Sequence, residues 1–101
     1  MLTVSALRVL AQDAPQDLMS WSHFVARTEF VWQKPNLVSD AEGWQAIWFD
    51  MEIVNALALA EWEEGGSPQD WSYSWREGYQ IDAEGLIGEL LQLLVTPDAP
   101  E

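Results

Sequence analysis

Trp44-Gln45-Ala46-Ile47-Trp48-Phe49-Asp50-Met51-Glu52-Ile53-Val54-Asn55-Ala56-Leu57-Ala58-Leu59-Ala60-Glu61-Trp62 is the stretch whose periodicity decides the fold. At about 100° per residue it forms a helix with two apolar faces instead of one. Trp44, Ile47, Trp48, Met51, Val54, Ala58 and Trp62 share a broad face, while Phe49, Ile53, Ala56, Leu57 and Ala60 lie on roughly the opposite side. The acids run between them in two thin stripes, Asp50 with Glu61 and Glu52 with Glu63. A helix that is apolar on two sides is normally the central member of a bundle, covered by neighbours on both, and that is the expectation here. The alternative keeps one face for a partner protein.

Outward from this helix, start signals recur, each an N-cap residue followed three positions later by an acid or amide that caps back. Asp13-Ala14-Pro15-Gln16 predicts a helix running to about Gln33, Ser39-Asp40-Ala41-Glu42 opens the central one to about Glu64, and Ser67-Pro68-Gln69-Asp70 opens a third to about Tyr79. Asp82 begins a fourth, in which Leu86, Ile87, Leu90, Leu91, Leu94 and Val95 share a face. Lys34-Pro35-Asn36 and Gly65-Gly66 punctuate the breaks. Residues 2–10 favour a short helix through Ala6, Leu7, Arg8 and Leu10. The expected fold is all-α, a compact bundle of four to five helices. Residues 1–96 would form one helical domain, and after Pro97 residues 97–101 a flexible tail. Pro15-Gln16-Asp17 recurs as Pro68-Gln69-Asp70, but no period extends the match, and two similar helix starts account for it.

With 101 residues, 49% of them hydrophobic, and seven Trp, the chain has the material for a single core. The absence of Cys excludes disulfides, thiolate metal sites and a cysteine nucleophile. The first residues carry no basic region followed by a long apolar run, and no apolar stretch approaches the ~20 residues of a membrane span, so a cytoplasmic protein without membrane contact is expected.

The net charge of −13 is unevenly placed. Residues 1–34 balance Asp13, Asp17 and Glu29 against Arg8, Arg27 and Lys34, whereas residues 35–101 set fourteen acids against Arg76 alone. Such a field repels nucleic acid and attracts cationic proteins. Direct nucleic-acid binding is therefore not expected, since four bases make no phosphate-tracking stripe.

No constellation carries catalysis. The carboxylates of the central helix offer many acid–base pairs, but acids along helix flanks are ordinarily solvated, and a catalytic one needs a desolvated cleft. His23 is the only histidine, with no acid three residues before it, so a Glu-x-x-His metal site is missing. It is expected to be a capped or half-buried structural residue, with tuning of an interface as the alternative. Calcium loops, Gly-rich phosphate loops and nucleophile elbows are absent as well. The expectation is a protein that is not an enzyme and takes no cofactor or metal.

What stands out is Trp among acids. An indole flanked by carboxylates is a good receptor for Arg or Lys. Trp71, Trp75 and Tyr79 are spaced as a core stripe, which leaves Glu61, Trp62, Glu63, Glu64 and Tyr73 as the better exposed candidates. With Asp50, Glu52, Asp70 and Glu77 they form the expected partner-binding set. In general character the chain resembles bacterial immunity proteins, and the expected function is that of an inhibitor neutralising a basic toxin or nucleic-acid-binding enzyme. A nucleic-acid mimic of the anti-restriction or anti-CRISPR type is the alternative.

Overall fold

In a computed structural model describing residues 3–95, five helices account for nearly all regular structure: α1 Val4–Asp13, α2 Leu18–Thr28, α3 Ala41–Glu64, α4 Ser72–Gly78 and α5 Gln80–Leu91. The fold is the all-α bundle expected. No strand occurs among the described residues; one antiparallel bridge joins Val38 to Leu94. There Ser39 N–H donates to the Leu93 carbonyl at 2.8 Å and Val95 N–H to the Leu37 carbonyl at 2.9 Å. The segment after α5 is thus strapped to the entry of α3. The expected tail, residues 97–101, lies outside the described residues.

Capping chemistry sets the helix starts, and it moves each of the expected ones. For α3 the move is one residue: Asp40, not Ser39, is the cap, extended and accepting from Gly43 N–H at 3.0 Å. Asp13 does not open α2: Ala14–Gln16 form a single 3-10 turn, and the cap is Asp17, whose carboxylate accepts from Ser20 N–H at 2.8 Å. That helix ends at Thr28 instead of Gln33, with a second 3-10 turn at Val31–Gln33. Ser67 does not open α4 either. It sits at φ 52° beside Gly66 at φ 93°, in the turn that closes α3 through Ser67 N–H to the Trp62 carbonyl at 3.0 Å. Asp70 marks the start of α4 instead, accepting from the Ser72 N–H and hydroxyl. Finally, α5 begins at Gln80, which puts Asp82 in its first turn, where a carboxylate suits the helix dipole.

On α3 the fully buried residues are Trp44, Met51 and Ala58, one every seven positions, with Ile47, Trp48, Val54 and Trp62 half-buried beside them. This is the first apolar face of the sequence, packed between α2 and α5. Tryptophan latches fix it. The last carbonyls of α2 lack helical partners, and α3 supplies them: Trp48 Nε1 donates to Val25 O at 2.8 Å and Trp44 Nε1 to Thr28 O at 3.3 Å. In return Trp21 Nε1 of α2 donates to Met51 O at 3.2 Å. Thr28, the buried polar residue, bonds its hydroxyl to Phe24 O at 2.8 Å. Across the bundle, Trp75 Nε1 reaches Pro15 O at 2.8 Å, pinning α4 to the turn between α1 and α2.

Among the described residues, none covers the second apolar face. Phe49 is 60%, Ile53 41% and Leu57 58% exposed, and Ala56 and Ala60 are exposed with them. The expectation of a helix buried on both sides is therefore overturned, for a reason of supply. With α2 and α5 on the flanks of α3, α1 packs against α2 and α4 against α5, and the outward face has no helix left to cover it among the described residues.

Candidate functional site

Twelve of the fourteen acids that follow Pro35 lie among the described residues, and all are solvent-exposed except Glu52, which is half-buried. Glu52 accepts from Asn55 Nδ2 at 3.4 Å, and Asn55 in turn accepts from the Ser22 hydroxyl of α2. Four bases cannot neutralise this surface, and three of them lie in the first 34 residues.

Seven of the nine predicted residues divide into two places. Asp50 and Glu61 line one edge of the uncovered α3 face, and Glu52 and Glu63 the other, while Glu64 stands at its C-terminal end. The ridge extends beyond α3. Phe30, 60% exposed, shares a groove with Phe49, Trp32, Trp48 and Glu29. Ile81 of α5, 79% exposed, shares a second, of about 430 Å³, with Ile53, Leu86, Asp50, Asp82 and Glu89. Neither groove is lined by a base.

The second place is the turn between α3 and α4. Trp62 is half-buried and donates from Nε1 to Pro68 O at 2.9 Å, so it anchors this turn instead of standing free as expected. With Asp17, Met19, Pro68, Asp70 and Trp71 it lines a cavity of about 340 Å³. The two Pro-Gln-Asp segments thus bring Asp17 and Asp70 to one cavity, and an indole-and-carboxylate lining suits a single cationic group. The Ser72 hydroxyl and then its N–H hold Asp70 below the ordinary carboxylate value of 3.8. Tyr73, 69% exposed, and Glu77, also exposed, point away on α4 and do not line this cavity.

The core stripe expected of Trp71, Trp75 and Tyr79 is present, carried across the α4–α5 junction. Trp75 is fully buried, Tyr79 stacks on Trp71 at 6.0 Å and on Trp75 at 5.9 Å, and Trp75 meets Trp21 at 6.2 Å. The Tyr79 hydroxyl donates to Glu61 Oε1 at 2.8 Å, tying one acid of the ridge edge to this ladder. Burial, and then that carboxylate, push the phenol above its ordinary value of 10.0.

His23 is exposed on α2 beside Arg27 and Asp13, not half-buried as expected. Among the described residues no group of three or more His, Cys, Asp or Glu is placed to hold a metal ion, and no helix is long and apolar enough to cross a membrane. The spacing of Phe49, Ile53, Ala56, Leu57 and Ala60 marks the ridge in the sequence. Phe30 and Ile81 carry no such signal, because their place beside it is set by tertiary packing. Compared with protein families, curated proteins and solved structures, the chain matches none.

Proposed function

We propose that this chain is a small acidic inhibitor that neutralises a basic protein, of the immunity or antitoxin type that blocks a bacterial toxin. The observation that carries this reading is an exposed apolar ridge edged on both sides by carboxylates, on a surface that four bases cannot balance. Charge of one sign speeds the encounter with a cationic partner, and exposed apolar area slows its release. A cationic nuclease cleft or toxin active site has the complementary character. The ridge also favours an inhibitor over a nucleic-acid mimic, since a phosphate backbone offers carboxylates something to imitate but gives no role to Phe49, Ile53 and Leu57.

Binding to a panel of basic proteins at about 50 mM and about 500 mM salt separates the two readings, because exposed charges are screened over this range. A partner retained at high salt supports the inhibitor. Weak, salt-labile binding to many DNA-binding proteins supports the mimic, and no binding to any basic protein at low salt refutes both. The Glu61→Gln, Glu63→Gln, Glu64→Gln triple variant is expected to slow association at low salt by about tenfold.

A further inference from the structure

Resting on the basic-partner reading, we infer that the uncovered face of α3 seats an amphipathic helix of the partner, with basic residues along both flanks of its apolar stripe. From Phe49 to Ala60 the ridge rises about 16 Å, three turns of helix. Apolar residues recur along it at spacings of three and four, the pattern that a second helix packed at a shallow crossing angle follows over its whole length. Ala56 and Ala60 leave space between the larger Phe49, Ile53 and Leu57 into which side chains of such a helix fit.

Charge chooses among occupants. Asp50 and Glu61 on one edge and Glu52 and Glu63 on the other hold the positions that flank a helix–helix seam, where opposite charge on the facing helix sets partner choice. Asp82 and Glu89 extend the first edge across the α5 groove, and Glu29 lies beside Phe30. A second copy of this chain would set acid against acid on both sides of the seam. Lys or Arg flanking a Leu-rich stripe meets carboxylates throughout.

The test uses the full chain and three synthetic peptides of about three heptads each. One has Leu at the seam positions and Lys at the flanks, one replaces Lys by Glu, and one scrambles the Lys peptide to the same composition without an apolar stripe. Titration calorimetry is expected to show the Lys peptide binding at least about tenfold more tightly than either control. Ile53→Gln with Leu57→Gln, exposed positions at which Gln keeps helix propensity, is expected to weaken it by at least about tenfold with helical content unchanged by circular dichroism. Equal binding of the Lys peptide to the wild type and this variant, or equal binding of the scrambled peptide, overturns the docking surface and leaves the basic-partner reading standing. Failure of both cationic peptides to bind overturns the docking surface, and the basic-partner reading falls with it only if no basic protein binds at low salt either. A wild-type dimer in sedimentation analysis that the variant abolishes makes the occupant a second copy, and likewise overturns the inference.

Discussion

Truncating Leu57 to Ala measures whether the second face of α3 is open. Full burial of a Leu side chain contributes about 1.5–3 kcal/mol. Leu57 is 58% exposed, so less than half of that is present, roughly 0.6–1.3 kcal/mol. Leu and Ala have similar helix propensity, so nothing else large enters. Met51, fewer than two turns away on the inner face, is 0% exposed, and its truncation leaves a cavity costing about 2–5 kcal/mol. Urea unfolding followed by helical circular dichroism is expected to give Leu57→Ala a loss of about 0.6–1.3 kcal/mol and Met51→Ala a loss of about 2–5 kcal/mol. For a domain of this size the corresponding fall in Tm is about 4–8 °C per kcal/mol. A Leu57→Ala loss above about 2.5 kcal/mol at every protein concentration refutes the reasoning, because it requires a covered side chain.

Three further outcomes follow from the latches and turns. Trp75→Phe removes ring volume from the core and the donor to Pro15 O, and is expected to cost about 2–4 kcal/mol in the same urea assay. Gly66→Ala, at φ 93° with open space around its Cβ position, is expected to cost about 1 kcal/mol from backbone conformation alone, and a neutral result places that residue elsewhere in conformational space. Because the folded state holds the Tyr79 proton more tightly than the unfolded chain, stability from this group is complete below pH 10.0 and is lost as pH rises through the higher folded value. Urea midpoints between about pH 9 and about pH 11 are expected to fall more steeply for the wild type than for Tyr79→Phe.

Much of the fold was legible where local chemistry and long-range packing agree. Asp40, one residue after the expected Ser39, caps the 24-residue α3, and the apolar periodicity from Trp44 to Trp62 carries it, so its start was readable to within a residue and its end at Glu64 outright. Asp13 misled because Pro15 favours a tight turn as well as a helix start, and the extended Asp17 after it resets the chain. Ser67 misled because a Ser-Pro pair also suits a loop closing the preceding helix. The acids of the candidate site were visible as residues, and most are exposed as solvated carboxylates should be. Whether an apolar face is buried was not legible, since the periodicity of Phe49, Ile53 and Leu57 is the same in either case. That depends on how many helices remain to cover it, which is a property of the whole assembly.

The tryptophan latches also make the molecule its own reporter. Five of the seven indole N–H groups are held by five different backbone carbonyls, in three places: Trp21, Trp44 and Trp48 at the α2–α3 seam, Trp62 in the turn after α3, and Trp75 at the far junction. Their proton resonances should therefore be dispersed and slow to exchange with solvent. Trp48 shares a groove with Phe30 and Phe49, next to the open face, whereas Trp75 lies fully buried away from it. A ligand on the ridge would shift the first signal and leave the second in place, so occupancy and global unfolding can be told apart in one unlabelled sample.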